Sequence, residues 1–175
     1  MSSNVTIRPF AEADAEGTVE LLRAASSDYV RFFRPFEFER SVVERLVRAN
    51  RQDRWFAIEI SCDGEAAELA GFYMLRGIDE GFDDPMYGIF IAEEYGGLGL
   101  ARLSLAHAEA ICRLNRWPNL LLKVDPANTR AFALYEASGF RFLRLDPRTG
   151  NQVLIKPLSV ANQAPVTQSA GSPNA

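Results

Sequence analysis

Histidine occurs once and cysteine twice in the 175 residues, and each scarcity removes a class of chemistry. Cys62 and Cys112 are too few and too far apart for a disulfide scaffold or a zinc knuckle. They read as two small, partly buried thiols rather than a redox pair. A lone His107 gives little support to the Ser-His and Cys-His pairs that activate a nucleophile. On a helical wheel it falls among Leu100, Leu103, Ala110, Ile111 and Leu114, opposite Arg102, Glu109, Arg113 and Arg116, so a sheet-facing or boundary position is expected. No apolar run is long enough to cross a bilayer, and the start MSSNVTIRPF has no signal-peptide core; a cytoplasmic protein without a membrane partner is expected. Nor is there an excess of cations: the formal net charge is −4. Arg40, Arg45, Arg48, Arg51 and Arg54 are spread out like solvated helix faces, which argues against nucleic acid as a partner.

What is present fits one domain with a substantial core, at 47% hydrophobic and 24% charged residues. Residues 5–10 alternate and are β-branched early, which predicts a first strand. Asp14 is expected to cap a helix reaching residue 25, and residues 26–40 read as irregular and aromatic. Ser41 and Glu44 stand at capping-box spacing and open a second helix that ends near Arg51. Residues 55–62 and 69–78 read as strands joined through an Asp63-Gly64 turn, and residues 86–92 as a further strand. A helix over 100–116 is closed by Trp117-Pro118, because proline cannot continue it. The apolar run 120–124 suits a strand covered on both faces. Residues 129–138 follow as a helix with Gly139 as its left-handed terminator, then a hairpin over 140–145 and 152–158. The domain is expected over residues 1–158, with 159–175 a small, polar, disordered tail. The order β-α-α-β-β-β-α-β-α-β-β predicts an α/β sheet with helices on both faces.

Gly96, Gly97 and Gly99 lie between a strand pattern and a helix pattern, where a backbone can present N–H groups at the positive end of a helix. Such a turn is an anion site. The dinucleotide fingerprint is not met, since Gly97-Leu98-Gly99-Leu100-Ala101 runs on to Arg102 where a third glycine is needed. The Walker pattern fails as well, because no Gly-Lys-Ser/Thr follows.

The pattern resembles the GNAT superfamily of N-acetyltransferases. The family signature R/Q-x-x-G-x-G/A lines up with Gly96-Gly97-Leu98-Gly99-Leu100-Ala101: Gly99 and Ala101 match, and Gly96 stands where the family has arginine or glutamine. Downstream, Asn128-x-x-Ala131-x-x-x-Tyr135-Glu136-x-x-Gly139-Phe140 follows the family's N-x-x-A-x-x-x-Y-E-x-x-G-F. The resemblance implies a mixed, mostly antiparallel central sheet and an acetyl-CoA-dependent N-acetyltransferase, with no metal. It implies that the N–H groups from Gly97 through Leu98, Gly99, Leu100 and Ala101 to Arg102 hold the pyrophosphate. Ile89, Phe90, Ile91 and Ala92 pair with pantetheine, Asn128 and Ala131 contact the cofactor, and Tyr135 serves the departing thiolate. On spacing alone Tyr135 is a packing aromatic and Asn128 a helix N-cap.

The amine must be neutral when it attacks, so a base is required, and the sequence leaves it open. Asp84 and Tyr87 are the candidates put forward; Asp83, Glu93, Glu94, Glu37 and Glu39 are further options. The aromatic segment carrying Tyr29, Phe32, Phe33, Arg34 and Phe36 lines the acceptor pocket in the family; its other reading is a hydrophobic anchor between two helices. The expected acceptor is a small-molecule amine, an amino sugar or an amino-acid-like compound. A non-catalytic acyl-CoA-binding module, a protein N-terminal or lysine acetyltransferase and an O-acetyltransferase are the alternatives, and a homodimer is left open.

Overall fold

Seven strands form one sheet in the order β1-β2-β3-β4-β5-β7-β6. They are β1 (Ser3–Pro9), β2 (Arg54–Cys62), β3 (Glu68–Arg76), β4 (Met86–Ile91), β5 (Asn119–Val124), β6 (Arg141–Leu145) and β7 (Gln152–Pro157). The helices are α1 (Asp14–Ala24), α2 (Ser27–Val30), α3 (Arg40–Ala49), α4 (Leu100–Leu114) and α5 (Thr129–Ala137), with a 3₁₀ turn at Glu93–Tyr95. This computed structural model describes residues 2–62 and 66–158, so the expected Asp63-Gly64 turn and the tail 159–175 lie outside the described residues.

Strand alternation sends successive side chains to opposite faces, and that decides both cores. Trp55, Phe72 and Phe90 join Val19 and Leu22 of α1 and Val43 of α3 on one face. Phe56, Tyr73, Tyr87 and Leu122 join Leu105, Ala108 and Cys112 of α4 and Tyr135 of α5 on the other. Trp55 and Phe72 stack at 6.2 Å, and Phe36 stacks on Trp55 at 5.6 Å. Such pairs add about 0.5–1.5 kcal/mol each beyond their burial, which pins the aromatic segment to the sheet.

Local corrections have physical causes. The segment 26–40 is not wholly irregular: α2 forms within it. Asp14 is the first helical residue rather than the cap, because its carboxylate pairs with Arg8 at 2.7 Å and accepts the Ala11 N–H at 2.7 Å. The capping box at Ser41 is not formed: α3 begins at Arg40, whose guanidinium takes Glu44 at 2.6 Å.

His107 sits at the sheet boundary as expected. Its Nδ1 is 2.5 Å from the Tyr73 hydroxyl and its ring meets Phe56 edge-on at 5.0 Å. Burial lowers its pKa from the ordinary 6.5. The folded chain therefore favours neutral imidazole: this contribution is complete above about pH 6.5 and is lost as pH falls through the lower folded value. The thermal midpoint is expected to fall from pH 6.5 towards 5 in the wild type and to flatten in His107→Gln, as read by circular dichroism.

The feature that creates a site is the β4–β5 junction. This is the one parallel pairing in the sheet, and it consists of Met86↔Leu121 and Tyr87↔Leu122 alone. On its other side β4 stays paired with β3 out to Gly71↔Ile91. Beyond Tyr87 the two strands diverge.

Candidate active site

The divergence opens a cleft of about 750 Å³ between β4, the end of β5, the start of α5 and the turn into α4, with α2 at its mouth. Alternation fixes what β4 presents there. The Ala92 N–H bonds the Ala70 carbonyl at 2.8 Å on the β3 side, whereas the Pro85 carbonyl accepts from Leu121 of β5 at 3.0 Å. Odd positions of β4 thus direct their main chain towards β5, and past Tyr87 no strand among the described residues stands opposite Ile89 and Ile91. The Ile91 carbonyl accepts the Tyr29 hydroxyl at 3.0 Å.

The 3₁₀ turn leads to Gly97 at φ 88° and Gly99 at φ 87°, left-handed conformations that cost other residues roughly 1–2 kcal/mol each. Gly99 caps α4 without a side-chain bond, and a Cβ there would project into open space with no atom within 4 Å. Among the described residues, the N–H groups of Gly97, Leu98, Gly99, Leu100 and Ala101 have no hydrogen-bond partner. Five consecutive orphan donors at the positive end of a fifteen-residue helix form a lean anion cradle.

Across the cleft, Asn128 Oδ1 accepts the Ala131 N–H at 3.2 Å, so the side-chain oxygen is committed to capping α5 and its amide nitrogen is left for a ligand. Tyr135 packs its ring against Phe140 at 5.8 Å and is 8% exposed. Its hydroxyl makes no hydrogen bond among the described residues and lines the cleft. Burial pushes its pKa up to about 12, so the phenol stays protonated at neutral pH. Tyr87 differs: its hydroxyl bonds Ser104 Oγ at 2.8 Å, which bonds the Ala101 carbonyl at 3.0 Å. Burial holds Tyr87 well above the usual tyrosine range, so it supplies no base near neutrality.

Most of the residues expected from the sequence converge here: Tyr87, Ile89, Phe90, Ile91, Gly97, Gly99, Leu100, Ala101, Arg102, Asn128, Ala131 and Tyr135, with Tyr29, Phe32 and Phe33 at the mouth. Others do not line the cleft. Asp84 lies before β4, its carboxylate accepting the Asn119 N–H at 3.1 Å and side-chain amide at 3.0 Å. Ala92 turns its N–H to β3, Leu98 is 68% exposed, Phe36 packs half-buried against the core, and Arg34 is not at the cleft. The Glu93 carboxylate is held by the Ser26 N–H at 3.0 Å and hydroxyl at 3.1 Å. Sequence reasoning missed Asp28, Lys123 and Arg130 in the lining. For Arg130 a signal existed, since a cation in the first turn of a helix opposes the helix dipole.

The family described as acetyltransferase (GNAT) domain matches residues 4–141. The chain belongs to the GNAT acetyltransferase family. No curated protein sequence matches it. Solved structures share its fold at low identity. The PaiA N-acetyltransferase of Thermoplasma acidophilum in complex with coenzyme A is 18% identical, with TM-score 0.69 over 88% of this chain and 99% of its own. The spermidine N-acetyltransferase of Vibrio cholerae with CoA and spermine is 20% identical, with TM-score 0.71 over 88% and 95%. A ribosomal-protein-alanine N-acetyltransferase of Escherichia coli is 19% identical, with TM-score 0.64 over 91% and 97%. The seven-stranded, mostly antiparallel sheet with helices on both faces is the GNAT fold, and the cleft opens at its one parallel junction.

Proposed function

We propose that this GNAT protein is an acetyl-CoA-dependent N-acetyltransferase that acts by direct transfer to the primary amine of a small molecule. The observation that carries the reading is the β4–β5 divergence ending on a turn whose N–H groups from Gly97 to Ala101 have no partner among the described residues. The cradle fits an anion, and the unpaired edge of β4 fits an extended amide chain. Bound acetyl-CoA supplies the acetyl group as an activated thioester. The Gly97–Ala101 N–H groups donate to the pyrophosphate, and the α4 dipole favours its charge. Ile89 and Ile91 offer main-chain groups to the pantetheine amides, and the Ile91 region polarises the thioester carbonyl. The Asn128 side-chain nitrogen remains available to the cofactor. The N–C bond forms from the neutral amine, whose surplus proton passes to water, and as the C–S bond breaks the protonated Tyr135 hydroxyl, without a partner among the described residues, gives the departing sulfur its proton.

The acceptor enters past Tyr29, Phe32 and Phe33, with Asp28 the carboxylate on that side of the cleft. Among structures of this fold, the acceptors named are spermidine, spermine and a ribosomal-protein alanine. Here the mouth favours a small amine with an apolar body over an extended polypeptide, because aromatic rings face it. The test is thiol release from acetyl-CoA over a panel of polyamines, amino sugars, amino acids and an alanine-terminated peptide, with products identified by mass spectrometry. An N-acetylated small amine is the expected product. Acetylation of the peptide alone would reassign the chain to protein substrates, an ester product to O-transfer, and CoA binding without thiol release to a non-catalytic module.

A further inference from the structure

We infer that Arg130 is the cation facing the phosphate-binding turn, reaching from α5 a position that the turn itself has no room to supply. The inference rests on reading the cleft as a CoA site. The turn is crowded on the side of the 3₁₀ turn: a Cβ on Gly96 would stand 2.9 Å from the Glu93 carbonyl oxygen. That oxygen is backbone and accepts the Gly96 N–H at 3.0 Å, so it cannot rotate aside. A long cationic side chain at position 96 is therefore sterically opposed by the 3₁₀ turn.

The opposite side of the turn is where the charge lies. A Cβ on Gly97 would stand 3.3 Å from Arg130 Nη2, so the guanidinium rests against backbone that only glycine leaves uncovered. Among the described residues Arg130 makes no ion pair or side-chain hydrogen bond, although it sits in the first turn of α5 where the dipole disfavours a cation. Lys123, the other basic residue on that wall, is already paired with Asp146. Among the described residues Arg102 also lacks an ion pair, but it meets the glycine turn through its backbone N–H, which donates to the Gly99 carbonyl at 3.0 Å and is therefore not free for a phosphate as the sequence led one to expect. Burial raises the pKa of the Tyr29 hydroxyl, and Arg130 opposes that shift from across the cleft mouth. A phosphate held by the orphan N–H groups would supply the anion that Arg130 lacks. The planar fork of its guanidinium matches two phosphate oxygens at once, a geometry an ammonium does not reproduce.

Calorimetric titration of the full chain with CoA and with 3′-dephospho-CoA tests this. Wild type binds both. Arg130→Ala is expected to weaken both by the same factor, about tenfold, which corresponds to ~1.4 kcal/mol. The thermal midpoint stays unchanged, because Arg130 has no partner to lose among the described residues. Arg130→Lys is expected to recover part of the affinity through its charge. Arg130→Ala binding CoA within about twofold of wild type would overturn the inference. A loss confined to CoA and absent with 3′-dephospho-CoA would overturn it too, by moving Arg130 to the 3′-phosphate. If wild type binds neither ligand, the CoA reading itself has failed, and that is seen before any variant is measured.

Discussion

Tyr135→Phe is expected to lower kcat by about 10²–10³ while CoA affinity changes by less than about threefold, in line with the usual worth of a positioned proton donor. Phenylalanine keeps the ring, its packing on Phe140 and the helix that carries it, and removes only the hydroxyl. That hydroxyl has no protein partner among the described residues, so its loss leaves no orphaned group in the fold and stability should be nearly unchanged. Its pKa of about 12 also fixes the sign of the pH response. Protonated phenol is the donating form, so no falling limb of the rate profile below about pH 11 belongs to Tyr135. Thiol-release kinetics beside calorimetry decide the matter: a variant with wild-type kcat makes Tyr135 a packing residue and nothing more. Tyr87→Phe serves as the contrast, because its hydroxyl is already spent on Ser104 and its loss should cost about 1 kcal/mol of stability.

Gly71→Ala is expected to destabilise the fold by about 2 kcal/mol, or roughly 4–8 °C in midpoint, and to weaken CoA binding with it. Gly71 pairs with Ile91 at the end of the β3–β4 ladder. A Cβ there would stand 2.4 Å from the Phe90 carbonyl oxygen and 2.9 Å from Ile91 Cδ1, the first of which is backbone and cannot rotate aside. Relief requires β4 to move away from β3, and β4 is the strand whose open edge serves the cleft. Stability and binding should therefore fall together. A variant with normal midpoint and normal CoA affinity would show that β4 tolerates displacement, and would remove the argument that its position sets the site.

The elements legible in the sequence were those encoded by local pattern. Alternation in residues 5–10, the apolar run at 120–124 and the glycines of the turn each reflect a short-range constraint, and the motif from Asn128 to Phe140 lies in register on α5 and its terminator. What escaped depends on partners far along the chain. α2 is held by Ser26 on Glu93 and Tyr29 on Ile91, contacts across more than sixty residues that no local periodicity encodes. The capping box at Ser41 failed because Glu44 found Arg40 instead. Asp84 looked near the site in sequence, yet Met86–Ile91 is an extended strand spanning roughly 17 Å, which leaves Asp84 at the wrong end of it. The aromatic segment divided between both of its readings, Phe36 packing against the core while Phe32 and Phe33 border the cleft. Arg130 was visible only as a cation set against a helix dipole.

CoA is expected to bind where β4 diverges from β5, against the N–H groups that lack partners among the described residues. A crystal structure of the chain with CoA decides this. The pyrophosphate is expected within hydrogen-bond distance of the N–H groups from Gly97 to Ala101, with pantetheine running along Ile89 and Ile91 towards Tyr135. CoA density elsewhere on the molecule, or a β4–β5 cleft that closes into a continuous ladder, would contradict it.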